Sequence, residues 1–343
     1  MDIFNLLETL LKGFGISGDE KCFSAFIEDL LKPYCRETRI DKLGNVFGFI
    51  PSEKKGAKKL MIEAHLDRIG LMVKKIDENG FIEFEKIGGI DERILPSAEV
   101  EILGRERVFG VIGSKPPHLR VGDNEKIPGI KDMLIDIGMT KEDAEKIIEP
   151  GDFIILKSNL VRLLNNRVSG AALDNRAGMA AVFDFLNKIK GKNLPYDLYI
   201  VFSVGEETGL IGASTAAYTV KPDIVISVDV TFGKLHSKDD SDAAFDLGSG
   251  GIIFRGPDVC YEGTLNLIKK AKELKIPFDI EVSGASSGTD ITVMQNAAGS
   301  AKTFLISIPL KYMHQTVETL SLDDISVCSK LFYLIASGGV EIA

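Results

Sequence analysis

The sequence predicts an α/β protein: helices sandwiching a sheet, divided in sequence by an inserted β-rich, barrel-like stretch. Two observations carry this. Short apolar strand-like runs alternate with amphipathic helical segments at both ends of the chain, the pattern of a layered α/β core. Between them, residues 70–164 change to brief alternating stretches punctuated by glycine.

In chain order, residues 1–14 and 19–31 read as amphipathic helices. The second is opened by Ser17 with Glu20 three residues on, the pattern of a capping box. Runs 45–50 and 60–64 are β-rich. The latter stops at Ala64-His65-Leu66-Asp67, where polar residues interrupt a strand that reads as buried. In the middle stretch, 80–86, 99–103 and 107–112 alternate as strands, and 141–148 is one short helix. Beyond it come helix 175–190, strands 197–204 and 224–229, helix 263–274, strand 304–308 and helix 324–336. The division is therefore residues 1–69 with 165–343 for the main domain and 70–164 for the insertion.

The 343 residues are 45% hydrophobic and 27% charged, enough for a compact core. A net charge of −9 argues against nucleic-acid binding, which needs a basic stripe, whereas Lys54, Lys55, Lys58 and Lys59 read as an exposed loop. The first 14 residues lack a basic start and a small-residue cleavage site. No apolar run approaches about 18 residues, so a cytoplasmic protein without a membrane span is expected. Cys22, Cys35, Cys260 and Cys328 are scattered singly and read as buried, reduced thiols.

Several Asp, Glu and His residues stand at strand ends or helix starts, where solvation alone does not explain them. They are His65 with Asp67, Asp174, Glu206 with Glu207, Asp229 and His314. Singly, each has a structural reading: Asp174 or Asp229 as a helix cap, Glu206-Glu207 as a solvated turn, either histidine as a hydrogen-bonded structural residue. Together they suggest more, because a doubly wound sheet brings the carboxyl ends of its strands to one crevice. Two histidines and several carboxylates there suit a pair of divalent metals, and mixed imidazole and carboxylate ligation fits zinc, cobalt or manganese. Two-metal hydrolases need a carboxylate bridging both ions, a further carboxylate and a histidine for each, and a free carboxylate as base.

At these residues the sequence resembles the M42 family of metallo-aminopeptidases, whose members include tetrahedral particles and proteins labelled endoglucanase. The resemblance runs nearly end to end, through Gly15-Ile16-Ser17-Gly18, Asp41-Lys42-Leu43-Gly44-Asn45, Ala64-His65-Leu66-Asp67, the run Gly110 to His118, Ala172-Leu173-Asp174-Asn175-Arg176, Glu206-Glu207-Thr208-Gly209, Asp229-Val230-Thr231, Ser287-Gly288-Thr289-Asp290 and Tyr312-Met313-His314. It implies a three-layer α/β/α sandwich of the zinc-peptidase type and cleavage of residues from free peptide N-termini. It implies that Asp174 bridges two divalent ions, that His65 and Asp229 complete one site and Glu207 and His314 the other. It implies Glu206 as general base with a hydroxide shared by the ions as nucleophile. Asp67 would accept a hydrogen bond from His65 and set its tautomer. The insertion would serve a homodimer, and dimers would build a homododecamer.

Departures from the family pattern bear on substrate: Arg68, Gly205, Ser169-Gly170-Ala171, Gly248 to Gly251 and Lys311 stand where many members carry other residues, and several are expected near the cavity mouth. Arg68 reads as a surface salt bridge, with an anion-binding group beside the site as the alternative. Lys115 and His118 would reach an active site or hold the insertion's turn, and His236 reads as solvated. The competing functions are a glycoside hydrolase using paired carboxylates such as Glu206 and Asp229, and a deblocking or deacylating amidohydrolase. Against the first, the chain has no Trp for a sugar platform. A non-catalytic relative would be expected to have lost one of these positions.

Overall fold

A computed structural model of the chain describes residues 2–114, 129–235, 244–297 and 299–342. Lys115, His118 and His236 lie outside the described residues. The chain opens with α1 (Ile3–Leu10), α2 (Lys21–Leu31), β1 (Glu37–Ile40), β2 (Val46–Ile50) and β3 (Lys59–His65). There follow β4 (Gly70–Ile76), β5 (Ile82–Ile87), β6 (Glu99–Leu103), β7 (Arg107–Gly113), β8 (Leu134–Asp136), α3 (Lys141–Ala144), β9 (Phe153–Leu156), β10 (Val161–Leu163) and β11 (Arg167–Gly170). Next are α4 (Leu173–Ile189), β12 (Asp197–Ser203), α5 (Glu206–Gly209), α6 (Ile211–Val220) and β13 (Ile224–Phe232). The chain ends with β14 (Gly251–Arg255), α7 (Tyr261–Glu273), β15 (Phe278–Val282), α8 (Ile291–Ala297), β16 (Lys302–Leu310), β17 (Glu318–Ser321) and α9 (Leu322–Ala336).

An eight-stranded sheet runs β1-β2-β12-β3-β13-β16-β14-β15. Its central strands β12, β3, β13 and β16 are mutually parallel, so their carboxyl ends share one edge. Strands β4 to β9 close a separate barrel in the order β4-β5-β8-β7-β6-β9, and β10-β11-β17 form a small third sheet.

Alternation along the strands sorts residues between the two faces of the large sheet. Ile62, Ala64, Ile226 and Val228 pack with α1, α4 and α9 in one cluster, while Met61, Val201, Val225 and Leu305 pack with α6 and α8 in another. Ile62 and Ile226 are register partners with no exposed surface, and each contributes roughly 1.5–3 kcal/mol by its burial. The same period places Glu63, His65, Ser227, Asp229 and Thr231 on the α6 and α8 side, toward the carboxyl edge. The barrel has its own core of Leu71, Val73, Ile82, Val100, Ile102, Ile135 and Ile154.

Local expectations fail where a long-range partner competes. The Ser17 capping box does not form: α2 begins at Lys21 with no side-chain cap, and Ser17 Oγ donates to Asp67 at 2.5 Å instead. The 141–148 helix is one turn capped by Thr140, because the chain turns back to deliver β9 to the barrel. Lys59 is half-buried at the start of β3, its Nζ donating to the Val220 carbonyl, rather than part of an exposed loop. All four cysteines are free, but Cys22 is exposed and only Cys328 is buried.

Candidate metal centre

A cavity of about 440 Å³ opens at the carboxyl edge of the sheet, and His65, Asp174, Glu206, Glu207, Asp229 and His314 all line it. His65 ends β3, Asp229 lies within β13, and Glu206 and Glu207 open the turn that follows β12. Gly205 before that turn has φ +67°, a left-handed conformation that glycine adopts without the penalty a β-carbon brings. Non-glycine residues Ala172, Leu210, Tyr312 and His314 share that region around the site, a clustering of strain common where a site is over-determined by its surroundings.

Two donor triplets meet at one carboxylate. His65, Asp174 and Asp229 offer ligand atoms within 4.8 Å of one another, and so do Asp174, Glu207 and His314. His65 Nε2 is 3.1 Å from Asp174 Oδ1, while His314 Nε2 is 3.4 Å from Asp174 Oδ2 and 3.2 Å from Glu207 Oε2. Each imidazole is turned by its other nitrogen. His314 Nδ1 lies 2.9 Å from the Gly89 carbonyl, and His65 Nδ1 lies 3.2 Å from the Asp67 carbonyl. Both Nε2 atoms are thus left for the cavity, the arrangement metal-binding histidines require.

The carboxylate of Asp67 takes a different job from the one expected. At 3.6 Å from His65 Nδ1 it adds charge rather than a short hydrogen bond. Its oxygens accept from the main-chain N–H of Glu206 (3.0 Å) and Glu207 (3.1 Å) and from Ser17. Asp67 therefore anchors the turn that presents both glutamates. Asp174 is not a helix cap either. The backbone is non-helical at Asp174 and Asn175 within α4, Asn175 Oδ1 accepts from Gly178 N where regular helix resumes, and the Asp174 side chain faces the histidines.

Glu318 is the residue that sequence reasoning missed. It is buried, and its Oε2 accepts from Leu173 N (2.6 Å) and Asp174 N (3.2 Å) while Oε1 accepts from His314 N (2.8 Å). One carboxylate thus holds the main chain at two of the candidate ligands. The signal available was an acid four residues beyond His314 in a short strand of Thr, Leu and Ser.

Electrostatics explains why such a cluster calls for cations. Burial pushes Glu206 up to about 9, helped by the charges of Asp229 and Asp290 against that of His65. Burial likewise raises Glu207 and Asp229. Burial would raise Asp174 too, but its hydrogen bonds to His314 and His65 hold it well below the usual range. Hydrogen bonds to Asp174 and Glu207 take His314 up to about 11. Glu318 rises to about 8 through burial and the neighbouring Asp174 charge. Four carboxylates desolvated around two imidazoles repel one another, and divalent cations relieve that repulsion. The mixed donor set fits such ions.

Arg68 is buried rather than a surface ion pair. Burial lowers its pKa, opposed by the charges of Glu318 and Glu207, and its Nε has no partner among the described residues. None of Arg68, Gly205, Ser169 to Ala171, Gly248 to Gly251 or Lys311 is among the residues that line the cavity, although Gly205 adjoins the lining residue Glu206. Gly248 and Gly250 instead donate to Asp324, and Lys311 is buried.

Residues 44–331 match the model of the family described as M42 glutamyl aminopeptidase. The lysyl aminopeptidase of Pyrococcus furiosus is 32% identical over 334 residues, covering 96% of this chain and 95% of its own. Among solved structures, the aminopeptidase APDkam598 from the archaeon Desulfurococcus kamchatkensis superposes with a TM-score of 0.90 at 30% identity, covering 98% of this chain and 95% of that one. The TET1 peptidase of Pyrococcus horikoshii, described as assembling into a tetrahedron or a large octahedral shell, gives 0.83 at 29% identity, covering 96% and 99%. With its α/β sandwich, its barrel and its histidine–carboxylate cluster, the chain belongs to the M42 aminopeptidase family, a family of metal-dependent hydrolases that act on peptides.

Proposed function

We propose that the chain removes residues from the free N-termini of peptides with two divalent ions per subunit. Asp174 would bridge them, His65 and Asp229 would complete one site, and Glu207 and His314 the other. The observation that carries this is the Asp174 carboxylate, whose two oxygens face two different histidines, each with its own second carboxylate. Zinc or cobalt suits imidazole and carboxylate together, and manganese is the third candidate. Such ions supply Lewis acidity, polarising a carbonyl and lowering the pKa of water.

The chain's own residues do the rest. Glu206 lines the cavity but belongs to neither triplet, so its carboxylate is free to act as general base. It takes a proton from the attacking water at Oε1 or Oε2 and delivers it to the leaving amine. Asp67 fixes the turn carrying that base, and Glu318 fixes the main chain of Asp174 and His314. The acidic cavity wall suits a substrate's α-ammonium group, which accounts for exopeptidase action.

We assign residues 1–69 and 165–343 to catalysis and 70–164 to dimer formation. Strand β7 of the barrel turns Phe109 and Val111 outward, 60% and 49% exposed, the kind of surface a partner covers. A dimer on each edge of a tetrahedron makes a homododecamer, in keeping with the shells of the relative above. Four free thiols fit a cytoplasmic, reducing compartment.

The test is amino-acid or p-nitroaniline release from a panel of aminoacyl p-nitroanilides and short peptides. Chelated protein receives zinc, cobalt or manganese, with N-acetylated substrates and carboxymethylcellulose as controls. Metal-restored cleavage of unblocked substrates only is expected. Cellulose hydrolysis that survives chelation would restore the glycosidase reading, and cleavage confined to acetylated substrates the deblocking one. Glu206→Gln should abolish turnover at unchanged metal content, and retained activity would remove Glu206 as the base.

A further inference from the structure

One acidic side chain in the cavity belongs to neither donor triplet and is not the base. Glu281, on β15, is the register partner of Phe254 on β14 and lines the cavity beside it. Thr231 Oγ1 donates to Glu281 Oε2 at 2.9 Å, so the carboxylate is held in place rather than free to swing. Thr231 stands two residues beyond Asp229 on β13. Their side chains therefore leave the same face about 7 Å apart, and Glu281 is fixed at the far end of that step.

A half-buried carboxylate normally has a cation nearby, but the described lining of this cavity contains no Lys or Arg. Burial raises its pKa against the Thr231 hydrogen bond, a cost that an incoming positive charge would offset. Phe232, Phe254 and Leu305 also line the cavity and add apolar surface to it. A cavity that combines apolar lining with a fixed carboxylate suits an amphipathic cation, whose methylene stem packs while its head pairs. The four-carbon stem of a lysyl residue suits the step from Asp229 to Thr231.

Resting on the aminopeptidase reading above, the geometry points to Glu281 as a specificity-determining residue that receives the ammonium or guanidinium group of the substrate's N-terminal side chain. The enzyme therefore prefers lysyl and arginyl termini. Neutral side chains of the same length leave the carboxylate desolvated and unpaired, and acidic ones meet it with like charge.

The discriminating pair is lysyl against norleucyl p-nitroanilide, which share a stem and differ in the ammonium group, assayed with the metal-loaded protein. The expected wild-type preference for lysyl is at least about 10-fold in kcat/KM. Glu281→Gln should bring that ratio close to 1, chiefly by raising KM for the lysyl substrate. Glu281→Lys should reverse the order of lysyl and glutamyl substrates. Equal wild-type rates on the pair, or a ratio that survives both substitutions, would overturn the assignment while leaving the aminopeptidase reading intact. Release from no unblocked substrate at all would overturn that reading and this assignment with it.

Discussion

Replacing Glu318 with Gln tests whether a residue that touches no substrate positions the centre. The carboxylate accepts three main-chain N–H groups, from Leu173, Asp174 and His314, at a buried site. Gln keeps one acceptor oxygen and places an NH₂ group where the other stood. Whichever way the amide turns, at least one buried N–H loses its acceptor, which costs about 1–3 kcal/mol. The remaining bonds lose their charge assistance, adding about 1 kcal/mol each, for a total of about 3–5 kcal/mol. With roughly 2.1 cal/mol/K of unfolding entropy per residue, that lowers Tm by about 4–7 °C in a chain of 343 residues. The larger consequence is local, because released backbone at Asp174 and His314 moves a candidate ligand in each triplet. Metal affinity should fall about 10–100-fold. The assay is competition for zinc or cobalt against a chromophoric chelator, beside calorimetric unfolding of the metal-loaded protein at pH 9, above the value of about 8 for Glu318, where its carboxylate is charged. Wild-type metal affinity together with a Tm within about 1 °C would refute the positioning role.

Other consequences follow from burial and charge. Gly212→Ala should cost at least about 3 kcal/mol, because the new Cβ would lie 2.2 Å from the Val204 carbonyl oxygen and 2.5 Å from Asn45 Oδ1; thermal unfolding measures it. Asp324, pushed up to about 6 chiefly by burial against hydrogen bonds from Gly248 and Gly250, binds its proton more tightly folded than unfolded. Its contribution is therefore complete below its ordinary value of 3.8 and is lost as pH rises through about 6, a loss of about 3 kcal/mol. The Tm of the wild type relative to Asp324→Asn should accordingly fall between about pH 4 and 6 and level off above that, and a difference independent of pH would exclude this group as the source. Chelation should lower Tm, since ions at 100 times their Kd stabilise the fold by about 2.7 kcal/mol. A Tm indifferent to chelator would mean that the cluster holds no ion that matters to folding.

Much of this molecule follows from patterns that span a few residues. Alternation within β3 and β13 put His65, at the end of its strand, and Asp229, near the end of its own, on one face, and parallel strand packing then brought them to one edge with Glu206 and Glu207. The helix expected at 175–190 and the strands at 99–103 and 107–112 appear within two residues of their predicted bounds, because period and propensity are local properties. Local signals could not say which partner a polar side chain chooses. Ser17 had the spacing of a helix cap and Asp174 the place of one, yet both are turned to distant segments, Ser17 to Asp67 and Asp174 to His65, 109 residues away in sequence. Arg68 looked like a surface charge, and Glu318 was one acid among many. Only the packed sheet showed the first buried and the second bound to a main-chain N–H 145 residues distant. The physical reason is one of reach. A capping or periodic pattern is set by neighbours within a helical turn, whereas burial and the pairing of charges depend on which remote strands the fold lays side by side. The sequence alone determined the α/β plan and the kinds of donor at the strand ends. The tertiary structure decided that Asp174 faces both histidines, that Asp67 and Glu318 hold the main chain around them, and that Glu281 stands at the far wall.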